Sequence, residues 1–152
     1  MKKISVILGS KSDMPQVESG LSLLKEFAIE YDLQVISAHR DPDKLKKYIK
    51  SLDKAGAKII IACAGLSAAL PGVAASHTML PVIGVPLYSK YFKGIDSLLS
   101  ILQMPKGMPV ATVTVGSSGM HNAVLLAVRI LSLNDSRLFK KLNKYKSGLK
   151  AK

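Results

Sequence analysis

The chain has 152 residues, 48% of them apolar, and a formal net charge of +12. That length suits one domain with a real core, and that apolar content excludes a disordered chain. No apolar run approaches the roughly 18 residues that span a bilayer, so no membrane partner is expected.

The charge invites a nucleic-acid reading, but its distribution argues otherwise. Seven basic residues and one acid lie between Asp135 and Lys152, which supplies half of the excess. Aromatic residues make up 5% and Trp is absent, so stacking platforms for bases are scarce. A solvated basic surface is expected, with no nucleic-acid partner. The single Cys63 cannot form an internal disulfide, which fits a reducing compartment. Met1-Lys2-Lys3-Ile4 opens without a signal-peptide cleavage pattern, so a cytoplasmic location is expected.

Short runs rich in Val and Ile alternate with amphipathic segments. Ile4–Leu8, Leu33–Ile36, Ile59–Cys63, Val82–Val85 and Val110–Val115 predict strands buried on both faces. Pro15–Ala28 predicts a helix through Val17, Leu21, Leu24 and Ala28, with Asp13 as its cap. Pro42–Ala55 predicts another through Leu45, Tyr48, Ile49 and Leu52, capped by Asp41 and stopped by Gly56. Ile95–Gln103 and Ser118–Leu133 predict two more. A terminal basic helix follows over about 135–150, with Leu138, Phe139, Leu142 and Leu149 on its apolar side. Alternation of this kind predicts a three-layer α/β fold with a parallel sheet. The flavodoxin-like order 2-1-3-4-5 is expected by analogy. The whole of 1–152 is read as a single domain.

In such sheets, ligands bind at the carboxyl ends of the strands. Gly9-Ser10-Lys11-Ser12-Asp13 ends one strand and opens a helix, where backbone N–H groups and hydroxyls can hold an anion. An ordinary capped turn explains it equally well. It is neither a P-loop nor a dinucleotide fingerprint. Ser37-Ala38-His39-Arg40-Asp41-Pro42 places an imidazole beside a fixed cation. Imidazole changes charge near neutral pH, and guanidinium grips phosphate in a fork. Taken alone, that pair also reads as a plain turn. Ala62 to Gly72 is a run of small residues after a strand, suited to close approach of a flat ligand or to tight packing. Cys63 reads as a small core residue. His77 and His121 have no carboxylate or cysteine at ligand spacing, so no metal is expected. Gln103 to Pro109 reads as a rigid turn, or as a lid or a segment reaching into a neighbour's site.

Five segments occur in order: Gly9–Asp13, Ser37–Asp43, Leu70-Pro71-Gly72, Leu80–Pro86 and Asp96–Pro105. On these, the chain from about Ile4 to about Leu131 resembles the N5-carboxyaminoimidazole ribonucleotide mutases, the PurE family of de novo purine biosynthesis. The resemblance implies an isomerase that moves a carboxylate from N5 to C4 of an aminoimidazole ribonucleotide, by decarboxylation and recarboxylation and without a cofactor. It implies that His39 is the general acid and base. It implies substrate binding by Ser10, Ser12, Asp13, Ser37, Arg40, Ala64, Gly65 and Leu70. Of these, Asp13 would accept from ribose hydroxyls, and Ser10, Ser37 and Arg40 would hold the phosphate. The implied partners are the small ribonucleotide, CO₂ and further copies of the chain in an octamer. Gln103, Met104 and Pro105 would come from a neighbouring subunit.

The chain departs from the family's pattern in one place. Bacterial mutases typically read A-G-A-G-G-A-A-H-L-P-G, and here Ala69 replaces the histidine, while Leu66 and Ser67 replace smaller residues. An alanine side chain donates no hydrogen bond to a carboxylate. The related carboxylases, which act as lyases on free CO₂, also lack that histidine. They usually carry lysine where Arg40 stands and G-R-S-N at Gly65–Ala68. The sequence therefore reads as a mutase with an altered CO₂ pocket. A free-CO₂ carboxylase, a silent ribonucleotide-binding paralogue and a basic nucleic-acid-binding protein are the alternatives.

Overall fold

A computed structural model describes residues 2–149. Strands β1 (Ile4–Leu8), β2 (Tyr31–Val35), β3 (Ile59–Ala64), β4 (Val82–Pro86) and β5 (Ala111–Thr112) form one parallel sheet in the order β2-β1-β3-β4-β5. Helices α1 (Met14–Glu26), α5 (Gly116–Ser132) and α6 (Ser136–Leu149) cover one face. Helices α2 (Pro42–Ala55), α3 (Leu70–Ala75) and α4 (Ile95–Leu102) cover the other.

The period-2 geometry of the central strands feeds both layers. Val6, Leu8, Ile61 and Cys63 pack toward α1 and α5, whereas Ile7, Ile60 and Ala62 pack toward α2 and α3. All three central strands are buried along their length. The edges differ from expectation. β2 is only half-buried, and β5 shrinks to two residues, one exposed and one partly so. An edge strand has a neighbour on one side only, so hydrophobic runs there predict strand but not burial.

The capping chemistry is partly as the sequence predicts. Asp41 accepts from the Lys44 N–H at 3.3 Å, and Gly56 ends α2 at φ 78°. Asp13 does not cap α1 with its side chain. Instead Ser10 caps a 3-10 turn over Lys11–Asp13, and the Asp13 carboxylate reaches back to accept from the Ser10 N–H at 3.0 Å. α3 has no counterpart in the periodicity. Its six residues, Leu-Pro-Gly-Val-Ala-Ala, are too few to show a helical stripe. α5 begins two residues earlier than expected, at Gly116.

α6 folds back on its own chain. Leu138 is buried, Leu142 and Tyr145 pack behind it, and Lys141 Nζ donates to the Phe27 carbonyl at 3.3 Å. Phe139 and Leu149, assigned to the apolar side from the sequence, are instead about half exposed. The last turn of the expected helix, at Lys150, lies outside the described residues.

Candidate active site

Four loops leave the carboxyl edge of the sheet side by side, because β1, β2, β3 and β4 are parallel neighbours. They are Gly9–Asp13, Ser37–Arg40, Gly65–Ala69 and the segment Leu87-Tyr88-Ser89. The chain order reverses at β1, so a crevice opens there. That crevice is a cleft of about 720 Å³, and it holds Ser10, Ser12, Asp13, Ser37, His39, Arg40, Ala64, Gly65 and Leu70. His39 thus faces the same space as the serine turn after β1.

The polar groups are held by short bonds close to the backbone. Ser10 Oγ lies 2.8 Å from Ser12 Oγ, and the Arg40 N–H donates to Ser37 Oγ at 3.2 Å. The Arg40 guanidinium reaches the Gly9 carbonyl at 3.5 Å, which links the β1 and β2 loops. Arg40 has no carboxylate partner among the described residues. Its charge is available to an anion entering the cleft.

Burial pushes the Asp13 carboxyl above the ordinary carboxylate range, against the opposing pull of the Ser10 N–H. Beneath the cleft, Cys63 is fully buried, and burial reinforced by the Asp13 charge pushes its thiol far up. A thiol held that firmly in its neutral form is no nucleophile. It is a core residue, 3.8 Å from Met120 Sδ. His121 lies outside the cleft and bonds Tyr145 Oη at 3.0 Å. Among the described residues, no group of three or more His, Cys, Asp or Glu could hold a metal ion.

Gln103, Met104 and Pro105 do not line the cleft of their own chain. Gln103 ends α4, and Met104 Sδ lies 3.1 Å from where a Cβ on Gly72 would sit. Two lining residues, Tyr88 and Ser89, escaped the sequence reading. The signal was present: they follow the carboxyl end of β4 just as Ser10 follows β1.

The fold and cleft define a flavodoxin-like α/β protein with a polar crevice at its topological switch point. A family model described as AIR carboxylase matches residues 3–152. Relatives named N5-carboxyaminoimidazole ribonucleotide mutase share 49% identity in Pyrococcus abyssi (99% of this chain, 85% of the relative) and 49% in Saccharolobus solfataricus (99% and 94%). The Bacillus subtilis relative of that name shares 46% (97% and 91%). The crystal structure of Treponema denticola PurE superposes with a TM-score of 0.88 at 32% identity, over 97% of this chain and 91% of that one. The chain belongs to the AIR carboxylase family.

Proposed function

We propose that this chain is an N5-carboxyaminoimidazole ribonucleotide mutase of de novo purine biosynthesis. The observation that carries the reading is the convergence of His39 and Arg40 with Ser10, Asp13 and Ser37 in one cleft, in a chain whose relatives bear that name. Arg40, Ser10 and Ser37 hold the phosphate, and Asp13 accepts from the ribose hydroxyls. Protonated His39 gives its proton to N5 as the bond from N5 to the carboxylate carbon breaks and its electron pair stays on nitrogen. CO₂ and aminoimidazole ribonucleotide are then held together. C4 attacks CO₂ to form the new carbon–carbon bond. Neutral His39 takes the C4 proton as aromaticity returns, and the imidazole ends as it began. Keeping CO₂ beside its acceptor replaces a bimolecular capture by an intramolecular one.

The working unit is the whole chain in a homo-oligomer, an octamer. Support comes from an exposed apolar strip on and before α4: Tyr91 (78% exposed), Phe92, Ile95, Leu99 and Leu102. Such a strip is costly in water and marks a contact surface. Gln103, Met104 and Pro105 follow α4 directly, so in this reading they belong to the contact with another copy. A cytoplasmic location accords with the free, buried thiol, and no helix among the described residues is long and apolar enough to cross a membrane.

A second reading, a carboxylase acting on free CO₂, draws on Ala69, which lines the cleft and offers no donor there. The test supplies purified protein with N5-carboxyaminoimidazole ribonucleotide or, separately, with aminoimidazole ribonucleotide and bicarbonate. Efficient use of the first alone is the expected result. Preference for the second favours the carboxylase, and use of neither overturns both.

A further inference from the structure

Tyr88 is held in an unusual way. Its main-chain N–H donates to Gln16 Oε1 at 2.7 Å, and its carbonyl accepts from Gln16 Nε2 at 3.2 Å. One carboxamide therefore serves both polar groups of one peptide segment 72 residues away. The flanking residues are anchored elsewhere. The Leu87 N–H donates to the Ala64 carbonyl at 2.9 Å, and the buried Ser97 Oγ donates to the Leu87 carbonyl at 2.7 Å. Ser89 Oγ donates to both Asp96 carboxylate oxygens, at 2.9 and 3.0 Å. Among the described residues, Tyr88 alone in this segment depends on a single side chain for its main-chain bonds.

Of the two partners, Tyr88 lines the crevice and Gln16 stands behind it, outside the lining. Gln16 lies in the first turn of α1, three residues past Asp13, on the helix that follows the serine turn. Tyr88 lies on the β4 side, lines the cleft and is 58% exposed. Among the described residues that line the cleft, it carries the one phenol. Phenol rings bind flat heterocycles through their faces or edges. A tyrosine on a free loop would lose backbone freedom on binding, and one whose main chain is already held has lost that part beforehand.

We propose that Gln16 is a positioning residue that pins Tyr88 as the aromatic wall of the ribonucleotide cleft, with the Tyr88 ring against the substrate's five-membered ring. This rests on the ribonucleotide reading of the site. Gln16 never touches substrate and acts only through Tyr88.

The test compares Gln16→Ala, Tyr88→Ala and the double variant. Alanine favours helix, so α1 survives the first change. Calorimetry gives the affinity for aminoimidazole ribonucleotide, steady-state assays give KM and kcat, and exchange gives the protection of the Tyr88 amide. Gln16→Ala weakens binding and raises KM about tenfold, the size of one lost hydrogen-bonded contact, with kcat within about twofold. The Tyr88 amide exchanges faster. The double variant binds no worse than Tyr88→Ala, because Gln16 has nothing left to position. Unchanged affinity in Gln16→Ala, unchanged amide exchange, or additive losses in the double variant overturns the proposal. Wild-type protein that binds the ribonucleotide but transfers no carboxylate overturns the mutase reading and leaves the clamp standing. Wild-type protein that does not bind it removes both.

Discussion

The two ends of β1 and β2 carry similar residue types arranged to opposite ends. At the amino end, Tyr48 Oη lies 2.7 Å from the buried Ser5 Oγ and donates to Asp32 Oδ2 at 2.8 Å. Lys2 Nζ donates to Asp32 Oδ1 at 2.9 Å, and Gln34 Nε2 donates to its other oxygen at 3.2 Å. Serine, aspartate and cation there satisfy one another. At the carboxyl end, Ser10, Asp13 and Arg40 line open space, and among the described residues the cation reaches only a carbonyl. Burial tends to push Asp32 up, but the bonds from Lys2, Tyr48 and Gln34 outweigh it and hold the carboxyl below its usual range. Burial pushes Asp13 the other way, above that range. A satisfied network stabilises the fold. A network left short of partners costs stability and can bind a ligand.

The largest effect that can break this contrast is His39→Asn. It lowers kcat by about a thousandfold, within the range of lost proton transfer, and leaves ribonucleotide affinity nearly unchanged. Comparable turnover in variant and wild type removes His39 from the chemistry. Arg40→Ala comes next. Losing a charge-assisted phosphate contact weakens ribonucleotide binding by about 2 kcal/mol, roughly thirtyfold, without lowering the melting temperature. Calorimetry and thermal melting check both halves, and a destabilised protein with unchanged affinity would place Arg40 in the structural network instead.

At the other end, Tyr48→Phe destabilises the protein by about 1–3 kcal/mol, because the Ser5 hydroxyl loses its partner while buried. Denaturant titration measures this, and turnover stays at the wild-type rate. The smallest effects sharpen the comparison through pH. Asp13 has a raised folded pKa, so its favourable contribution is complete below the unfolded value and is lost as pH rises through the folded one. Asp32 has a lowered folded pKa, so its contribution is present above the unfolded value and is lost as pH falls through the folded one. Asp13→Asn therefore melts higher than wild type at neutral pH, and Asp32→Asn melts lower. Both differences shrink in acid. Melting curves from neutral pH down to about 3, below the unfolded carboxyl value, read the two signs directly.

Much of this arrangement was legible in the residues. Runs such as Ile59–Cys63 mark central strands because burial on both faces demands apolar residues without alternation. Pro42 and Gly56 bracket α2 because each restricts or permits a backbone angle locally. The nine residues that the family resemblance implied for the site all line the cleft, and the strand-end positions of the Gly9–Asp13 and Ser37–Arg40 turns were readable from the sequence itself. What stayed hidden depends on distant partners. Nothing near Gln16 indicates that its amide meets Tyr88. Nothing near Asp13 shows that its carboxylate turns back to Ser10 rather than capping α1. The six-residue α3 is held by packing of Leu70 and Ala74 against the sheet, which local periodicity cannot register.

The most direct measurement follows one carbon. N5-carboxyaminoimidazole ribonucleotide labelled with ¹³C in its carboxylate is offered to the protein in excess unlabelled bicarbonate. A cleft that traps CO₂ beside its acceptor returns product labelled at the C4 carboxylate. Unlabelled product would mean that the carboxyl carbon comes from solution, which contradicts the account.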